Sequence, residues 1–163
     1  MKLSILIPTI QANKRQLDQL LAILLPQTKE FEGDVHIDIE GGVKMNRGAK
    51  CNSLIKDAEG EYIWFLEDTD LISETALSDI FEALKFDPDM VGINGSTNVN
   101  GNVKDWYKPL CFNSPVKKSR VLKFKNQKNA EELWIKAMIK GSFKHVDIEK
   151  PLVRKNIGLT LVK

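Results

Sequence analysis

The sequence is poor in the residues that mark disulfide-stapled, zinc-bound or membrane-spanning proteins. Its 163 residues include two cysteines, Cys51 and Cys111, which lie far apart and form no Cys-x-x-Cys motif. This spacing argues against a zinc site and is typical of reduced thiols in a cytoplasmic protein. The apolar run at the N-terminus ends at Pro8, too early for a signal peptide or a transmembrane helix. We therefore expect a cytoplasmic protein without a transmembrane segment.

A strong net charge of either sign is also missing. The 24 Lys and Arg residues nearly balance the 22 Asp and Glu residues, and the net charge of +2 gives no strong nucleic-acid signal. Six basic residues fall close together: Lys117, Lys118, Arg120, Lys123, Lys125 and Lys128. A solvated face explains this run more simply than a phosphate site. The length and the hydrophobic content of 42% predict one globular domain over residues 1–163.

Three classes of nucleotide- or phosphate-handling protein lack their motifs here. No GxxxxGK[ST] motif occurs, which excludes a P-loop enzyme. A receiver-like phosphoacceptor domain needs an acidic pair directly after the first strand, where this sequence has Thr9, Ile10 and Gln11. A sugar nucleotidyltransferase needs a Gly-rich basic loop at the same place, and the sequence does not have it.

Hydrophobic periodicity predicts alternating strands and helices through about residue 93. Strands are predicted over 3–7, 35–40, 62–66 and 90–93. One helix is predicted to end at Pro26, a second covers about 47–58 with Gly60 in the C′ position, and Ser73 is the predicted N-cap of a third. Such alternation predicts right-handed βαβ units and a mostly parallel sheet.

The remaining sequence has weaker patterns. Residues 94–101 are rich in Asn and Gly and are predicted to form a loop, whereas 130–140 is predicted to form a helix. Short strands are predicted over 106–113, 121–124, 146–148 and 159–162.

Polar clusters lie at the carboxyl ends of three predicted strands: from Thr9 onward, at Asp38–Glu40 and at Glu67–Asp70. Ligands of parallel sheets bind beyond the carboxyl ends of the strands, so we expect these groups to converge. The third group is the acidic turn, Glu67-Asp68-Thr69-Asp70. Its three carboxylates repel one another, and a hard cation such as Mg²⁺ or Mn²⁺ would remove that repulsion. Alternatively, the acids only cap the helix that follows.

Two stretches resemble the family 2 glycosyltransferases of the GT-A fold. They are residues 2–9, followed by Arg15, Leu20-Leu21 and Gln27, and residues 48–70, GAKCNSLIKDAEGEYIWFLEDTD. The second stretch resembles the family's central segment, which ends in an Asp-x-Asp motif, and the likeness is greatest to the compact forms of phages and bacteria. The similarity covers about residues 2–93.

The resemblance implies an α/β fold, namely a GT-A-like (Rossmann-like, nucleotide-sugar-binding) single domain with a mostly parallel central sheet and a small mixed C-terminal part. Residues 1 to about 95 would form the nucleotide-binding half, and about 96–163 a reduced acceptor half. The implied nucleotide-binding residues are Thr9 and Ile10 after the first strand, Asp38 or Glu40 as the acceptor of the base N–H, Lys50 or Asn52, and Asp68.

The implied cofactor is Mn²⁺ or Mg²⁺, bound by Asp68 and Asp70. In an alternative alignment Glu67 is the first acid of the motif, and Thr69 stands where the second acid would be. Glu132 is the implied general base, with Glu131 beside it. Both glutamates also suit the first turn of a helix without any catalytic role.

The implied reaction is the metal-dependent transfer of a sugar from a nucleotide-sugar donor, with UDP expected, to a hydroxyl acceptor that is a glycan, a protein or another molecule. The resemblance also implies inversion at the anomeric carbon. Departures from the family pattern favour an alternative, a catalytically degenerate domain that serves as a nucleotide-sugar-binding or interaction module. Cys51 replaces an arginine, the acidic turn is altered, and the segment between Trp106 and Ala130 is short. A ligand contact by Trp106-Tyr107 is left open.

Overall fold

The computed structural model describes residues 1–42, 44–125 and 129–157. Eight strands form one sheet in it, and helices cover both faces of the sheet. The strands are β1 (Leu3–Pro8), β2 (Val35–Glu40), β3 (Tyr62–Phe65), β4 (Asp70–Ile72), β5 (Met90–Val99), β6 (Asn102–Lys108), β7 (Val116–Lys117) and β8 (His145–Ile157). The α-helices are α1 (Lys14–Thr28), α2 (Arg47–Asp57), α3 (Ala76–Leu84) and α4 (Ala130–Ile139). Short 3₁₀ helices cover Gln11–Asn13, Lys29–Phe31 and Lys118–Arg120.

The order of the strands is β2-β1-β3-β7-β5-β8-β4, with β6 paired to β5 outside this order. β1 lies parallel to β2 and to β3, and β5 lies parallel to β8 along the longest ladder of the sheet. The antiparallel pairs are β3–β7, β5–β7, β5–β6 and β4–β8, and each includes a strand that follows β3. The α/β fold with a mainly parallel central sheet and a mixed C-terminal part is confirmed.

The sheet separates two apolar layers. β1 is buried along its whole length, as expected for a strand that is covered on both faces. On one face Trp64 packs in a layer with the apolar side chains of α1 and α3. On the other face Phe65 packs with Phe124 and Trp134, in a layer that also includes apolar residues of α2. The rings of Phe124 and Trp134 are stacked with centroids 4.9 Å apart, which fixes the segment before α4 against that helix.

α1 continues through Pro26, so the predicted helix end at this residue is wrong. A proline inside a helix lacks the N–H that would bond the carbonyl one turn earlier, but the helix here tolerates that loss. The Gln27 amide donates to the carbonyl oxygens of Ile23 (3.1 Å) and Ser73 (3.0 Å). These bonds hold the last turn of α1 against the segment that precedes α3.

The last residue of the acidic turn begins a strand that the local sequence pattern did not predict. Residues 70–72 pair with β8 as β4, and α3 therefore begins only at Ala76. The predicted N-cap at Ser73 is wrong, because the residue that precedes the first helical position is Thr75. Asp70 consequently pairs within a sheet and does not cap a helix.

Gly60 does not take the left-handed C′ conformation predicted for it. Among the described residues, positive φ angles occur at Gly33, Asp87, Asn100 and Gly101. The role of Gly60 is steric, because an added Cβ would collide with the backbone where β1 begins. Its N–H donates to the Ser4 hydroxyl at 2.8 Å, so the exit of α2 lies directly against that strand.

The loop predicted over 94–101 is also wrong. β5 continues through this segment to Val99 and turns at Asn100 and Gly101, whose φ angles are 50° and 88°, into β6. The Asn- and Gly-rich residues are extended because β8 and β6 pair with them on both edges.

The structure differs from several of the strand predictions made for the C-terminal half. The strand predicted over 106–113 ends at Lys108, residues 121–124 form no strand, and the strand predicted over 146–148 is part of the longer β8. The strand predicted over 159–162 and Lys128 of the basic run lie outside the described residues. In the described part of the chain, no helix combines the length and apolar character needed to cross a membrane.

Candidate functional site

A cavity of about 170 Å³ opens where β1 and β3 end, beside the N-terminal end of α2. Its walls come from the loop after β1, the acidic turn and the start of α2: Pro8, Thr9, Ile10, Asn13, Met45, Arg47, Lys50 and Asp68. The structure thus brings together two of the three polar groups that were expected to converge. The third group, Asp38 with Glu40, does not line the cavity.

Asp68 connects the acidic turn to the loop after β1 through hydrogen bonds. Its carboxylate accepts hydrogen bonds from the hydroxyl of Thr9 (2.6 Å), the backbone N–H of Ile10 (3.3 Å) and the side-chain amide of Asn13 (3.0 Å). Because donors reach both of its oxygens, the buried charge is stabilised by the loop itself. Asp68 therefore shapes the cavity wall.

Lys50 brings a positive charge from α2 to the same loop. This buried lysine donates through its ammonium to the carbonyl oxygen of Thr9 at 2.6 Å. Asn52 serves a different region, because its amide donates to the carbonyl of Phe124 (2.9 Å) and accepts the N–H of that residue (2.8 Å). Of these two candidates, only Lys50 lies at the cavity.

The candidate acids of β2 occupy separate environments. Glu40 accepts the backbone N–H of Gly42 at 2.7 Å and so belongs to its own turn. Asp38 Oδ2 lies 3.2 Å from His36 Nδ1, and both atoms are buried without a hydrogen bond among the residues that the structure describes. Both acids thus contact residues of β2 or of the turn after it and lie outside the cavity wall.

Asp70 is the most buried acid of the turn, with 1% of its surface exposed. Its carboxylate accepts hydrogen bonds from the N–H of Glu67 (2.8 Å), the amide of Asn113 (2.7 Å) and the ammonium of Lys155 (3.0 Å). Burial raises the pKa of Asp70 above its ordinary value, and the charge of Lys155 opposes that shift. Lys155 is the direct partner of Asp70 in the β4–β8 ladder, so the backbone register holds the two charges together.

Glu67 and Glu131 share one arginine. Arg47 Nη2 lies 2.7 Å from Glu67 Oε1 and 2.9 Å from Glu131 Oε2, and Lys155 lies 2.5 Å from the second oxygen of Glu67. Burial alone would raise the pKa of Glu67, but Lys155 and Arg47 outweigh burial and the pKa is lowered. For Glu131, burial outweighs the attraction of Arg47 and the pKa is raised.

These contacts form a continuous ionic chain, Glu131–Arg47–Glu67–Lys155–Asp70. It runs from the first turn of α4 across the start of α2 and the acidic turn to β8 and β4. The guanidinium of Arg47 also lies over the ring of Phe112, 4.5 Å from its centroid, which restrains the side chain by a cation–π contact.

Glu132, the preferred candidate base, faces away from the ionic chain. Its side chain is 61% exposed and lies 2.5 Å from Lys136, one turn further along α4. This hydrogen bond lowers the pKa of Glu132. Consecutive helical residues point in directions about 100° apart, so only one of the two glutamates can face Arg47. The structure places Glu131 there.

Trp106 and Tyr107 both make contacts within the protein. The Trp106 indole packs on Gly95, where a Cβ would collide with it, and donates to the Thr97 hydroxyl at 3.0 Å. The Tyr107 hydroxyl donates to Asp147 at 2.8 Å. Both aromatic residues line a separate cleft of about 360 Å³ along the β5–β6 hairpin.

Comparison with solved structures finds this architecture in S. aureus TarS. The complex of TarS 1–349 with UDP-GlcNAc has a TM-score of 0.74 at 15% identity, covering 96% of this chain and 58% of that one. The complex with UDP has a TM-score of 0.74 at 15% identity, covering 96% and 61%. Another crystal structure of S. aureus TarS has a TM-score of 0.72 at 14% identity, covering 96% of this chain and 37% of that one. The chain thus spans less than two thirds of the TarS structures, and no protein-family model and no curated protein matches its sequence.

TarS is a glycosyltransferase of family 2. The chain has a GT-A-like fold. The resemblance carried by residues 2–9 and 48–70 is therefore confirmed for the fold.

The two metal ligands implied for this GT-A-like fold are already engaged by protein donors. The oxygens of Asp68 accept hydrogen bonds from the loop after β1, whereas those of Asp70 accept from Asn113, Lys155 and a backbone N–H. Within the described ranges, no group of three or more His, Cys, Asp or Glu side chains is arranged to hold a metal ion. The residues as arranged do not fit a divalent cation held by Asp68 and Asp70.

Cys51, which replaces an arginine of the family pattern, belongs to the core of the GT-A-like fold. It is fully buried, and burial raises the pKa of its thiol to about 12, so it brings no charge to the site. Arg47 lies one helical turn earlier on the same face of α2, where residues four apart are neighbours. The arginine at this site is therefore supplied from position 47.

Sequence reasoning missed three residues of the site, Arg47, Asn113 and Lys155. A signal existed for Arg47, because a long basic side chain one turn before Cys51 can occupy the space of the missing arginine. Asn113 and Lys155 carry no such signal, since each reaches Asp70 only through the tertiary fold.

Proposed function

We propose that this chain binds a nucleotide-sugar donor and transfers its sugar to a hydroxyl acceptor. The observation that carries the proposal is the position of the cavity, at the carboxyl ends of β1 and β3, with Arg47 and Lys50 in its wall. Parallel sheets bind their ligands at this edge, and paired cations suit phosphate groups. TarS, which shares the fold, has been crystallised with UDP-GlcNAc and with UDP, and UDP is accordingly the nucleotide that we expect.

The size of the cavity limits what it would enclose. Ligand pockets usually measure roughly 300–1,000 Å³, and this one measures about 170 Å³. We propose that it receives one part of the nucleotide, while the diphosphate lies against Arg47 at the open rim. Ile10 and Met45 line the cavity with exposed apolar surface, which suits contact with a nucleobase. Asp38 stays the predicted acceptor for the N–H of that base.

The transfer itself would be a single displacement. An acceptor oxygen attacks the anomeric carbon, the bond from that carbon to the diphosphate breaks, and the nucleoside diphosphate leaves with the bonding electrons. The acceptor proton passes to a carboxylate, for which Glu131 is better placed than Glu132 and has the raised pKa that suits a general base. Arg47 would stabilise the negative charge on the departing diphosphate. Inversion at the anomeric carbon follows from attack opposite the leaving group.

A second candidate function is binding of a nucleotide sugar without turnover. It is favoured by the buried Cys51 and by the ionic chain, in which the acids expected to bind metal pair with cations of the protein. The acceptor is unassigned under either function and is a glycan, a protein or another molecule with a hydroxyl group.

Calorimetric titration with UDP, UDP-GlcNAc and uridine tests the proposal. We expect UDP and UDP-GlcNAc to bind and uridine to bind more weakly, because it lacks the phosphates that Arg47 would contact. Arg47→Met should weaken UDP binding, whereas Arg154→Ala, a change at an exposed arginine of β8, should not. If none of these compounds binds, the proposal is wrong. If UDP-sugars bind but no UDP is released with any acceptor tested, the binding module is the better description.

A further inference from the structure

Two protein cations occupy the acidic turn where the sequence led us to expect a metal. Lys155 Nζ lies 2.5 Å from Glu67 Oε2 and 3.0 Å from Asp70 Oδ1. Arg47 contacts the other oxygen of Glu67 at 2.7 Å. The mutual repulsion of the acids in the turn is therefore offset by charges that belong to the chain itself.

These cations are held in place by the fold. Lys155 stands opposite Asp70 in the β4–β8 ladder, and its side chain is only 26% exposed. Arg47 is the first residue of α2 and is restrained by Glu131 and by the ring of Phe112. Arg47 is 42% exposed, but its contacts with two carboxylates and a ring restrain it, so neither cation is a freely mobile surface side chain, whose ion pairs contribute little.

A divalent cation would meet a cost at this position. To bind the oxygens of Glu67 and Asp70 it would have to displace the ammonium of Lys155, or lie beside it against the repulsion of like charges. The freed ammonium would then lose both carboxylate partners in a largely buried position. Asp68 is a poor alternative, because a metal would compete with the three hydrogen bonds that its oxygens accept from the loop after β1.

We propose that Lys155 and Arg47 neutralise the acidic turn in place of a divalent cation. Arg47, with Lys50 beside it in the cavity wall, also receives the diphosphate of the donor. Nucleotide binding therefore needs no metal. This inference rests on the proposed function, because it assumes that the ligand carries a diphosphate. Arg47 can offer the remaining N–H groups of its planar guanidinium to phosphate oxygens while it stays paired with Glu67.

Titration of the whole chain with UDP, once in excess EDTA and once in excess MnCl₂, tests the inference directly. We expect the two Kd values to agree within about twofold, and Arg47→Met to raise Kd in EDTA by about tenfold or more, since charge-assisted hydrogen bonds to phosphate are lost. Arg154→Ala serves as the control that removes a positive charge from β8 outside the cavity. Binding that requires MnCl₂ would overturn the inference and leave the proposed function standing.

A second measurement needs no nucleotide and therefore separates the two ideas. Electron paramagnetic resonance reports free aqueous Mn²⁺, whose signal decreases when the ion binds. We expect the wild-type protein to leave this signal unchanged and Lys155→Met to reduce it, because the freed oxygens of Glu67 and Asp70 become available. Lys155→Arg keeps the charge and should behave like the wild type. Uptake of Mn²⁺ by the wild-type protein that Asp70→Asn abolishes would overturn the inference, even if UDP fails to bind and the proposed function is also wrong.

Discussion

The contact between Lys155 and Asp70 gives the sharpest prediction, which a double-mutant cycle on stability can test. Lys155→Met removes the ammonium and keeps most of the apolar length of the side chain. Asp70→Asn removes the charge and keeps the shape of the carboxylate. In the wild-type protein the two groups are 3.0 Å apart, and 1% of the Asp70 side chain and 26% of the Lys155 side chain are exposed. The cycle therefore probes a charge pair with one fully buried member.

The expected magnitude follows from what each change leaves behind. Lys155→Met leaves Asp70 buried with only neutral donors, the Glu67 N–H and the Asn113 amide, and breaking a buried pair in this way costs about 3–5 kcal/mol. We expect the lower end, about 3 kcal/mol, because part of Lys155 reaches solvent. Asp70→Asn should cost about 2 kcal/mol, since Lys155 keeps Glu67 as a partner. The double variant should lose about 3 kcal/mol instead of the sum of about 5, which is a coupling of about 2 kcal/mol.

Urea unfolding, followed by far-UV circular dichroism, measures these free energies if the denaturant slope stays the same among the variants. For a chain of this length, 3 kcal/mol corresponds to a decrease in Tm of about 6–12 °C for Lys155→Met. A coupling below about 0.5 kcal/mol would refute the reasoning, because Asp70 and Lys155 would then act independently. Lys155 would then not be the group that neutralises the acidic turn.

Two further predictions concern residues that the sequence placed at the site. Asn52→Ala should lower the free energy of unfolding in urea by about 1–3 kcal/mol, because both backbone groups of Phe124 lose their partner. Lys56→Ala, a change at an exposed residue of the same helix, should have little effect. The pKa of Glu131 is raised above its ordinary value of 4.5 in the folded protein. Its contribution to stability is therefore complete below pH 4.5, and it is lost as the pH rises through the folded-state pKa. Relative to wild type, Glu131→Gln should therefore gain Tm as the pH rises above 4.5, and a pH-independent difference in thermal scans would contradict this.

Much of the N-terminal half was predictable because its signals are local. β1 and β3 are continuous apolar runs, β2 alternates, and α2 has one apolar face, so each element could be assigned from its own residues. Two of the errors fall where pairing partners decide the structure. Residues 94–99 have the composition of a loop, yet they are a strand because β6 and β8 border them on both edges. The same holds for β4, which exists because β8 pairs with it.

The site was predictable in position but not in its internal contacts. Thr9 and Asp68 were placed at one end of the sheet by the positions of the strand ends, and Lys50 by the family resemblance; the structure brings all three to one cavity. The choice between Glu131 and Glu132 depended on the rotation of α4 against α2, to which adjacent sequence positions give no clue. Glu132 was preferred, and the structure turns it toward Lys136 and solvent.

The acidic turn illustrates how a sound electrostatic argument can have more than one structural solution. Carboxylates this close in sequence need compensating positive charge, and Lys155 and Arg47 supply it here. The sequence near the turn cannot reveal whether the cation is a metal or a side chain, because Lys155 lies 85 residues from Asp70 and reaches it only through the register of β8. A shift of that register by one residue would turn Lys155 to the other face of the sheet and expose the acids again. The charge state of this site is therefore decided by strand pairing in the C-terminal half, which links the candidate site to the part of the chain where the family pattern is weakest.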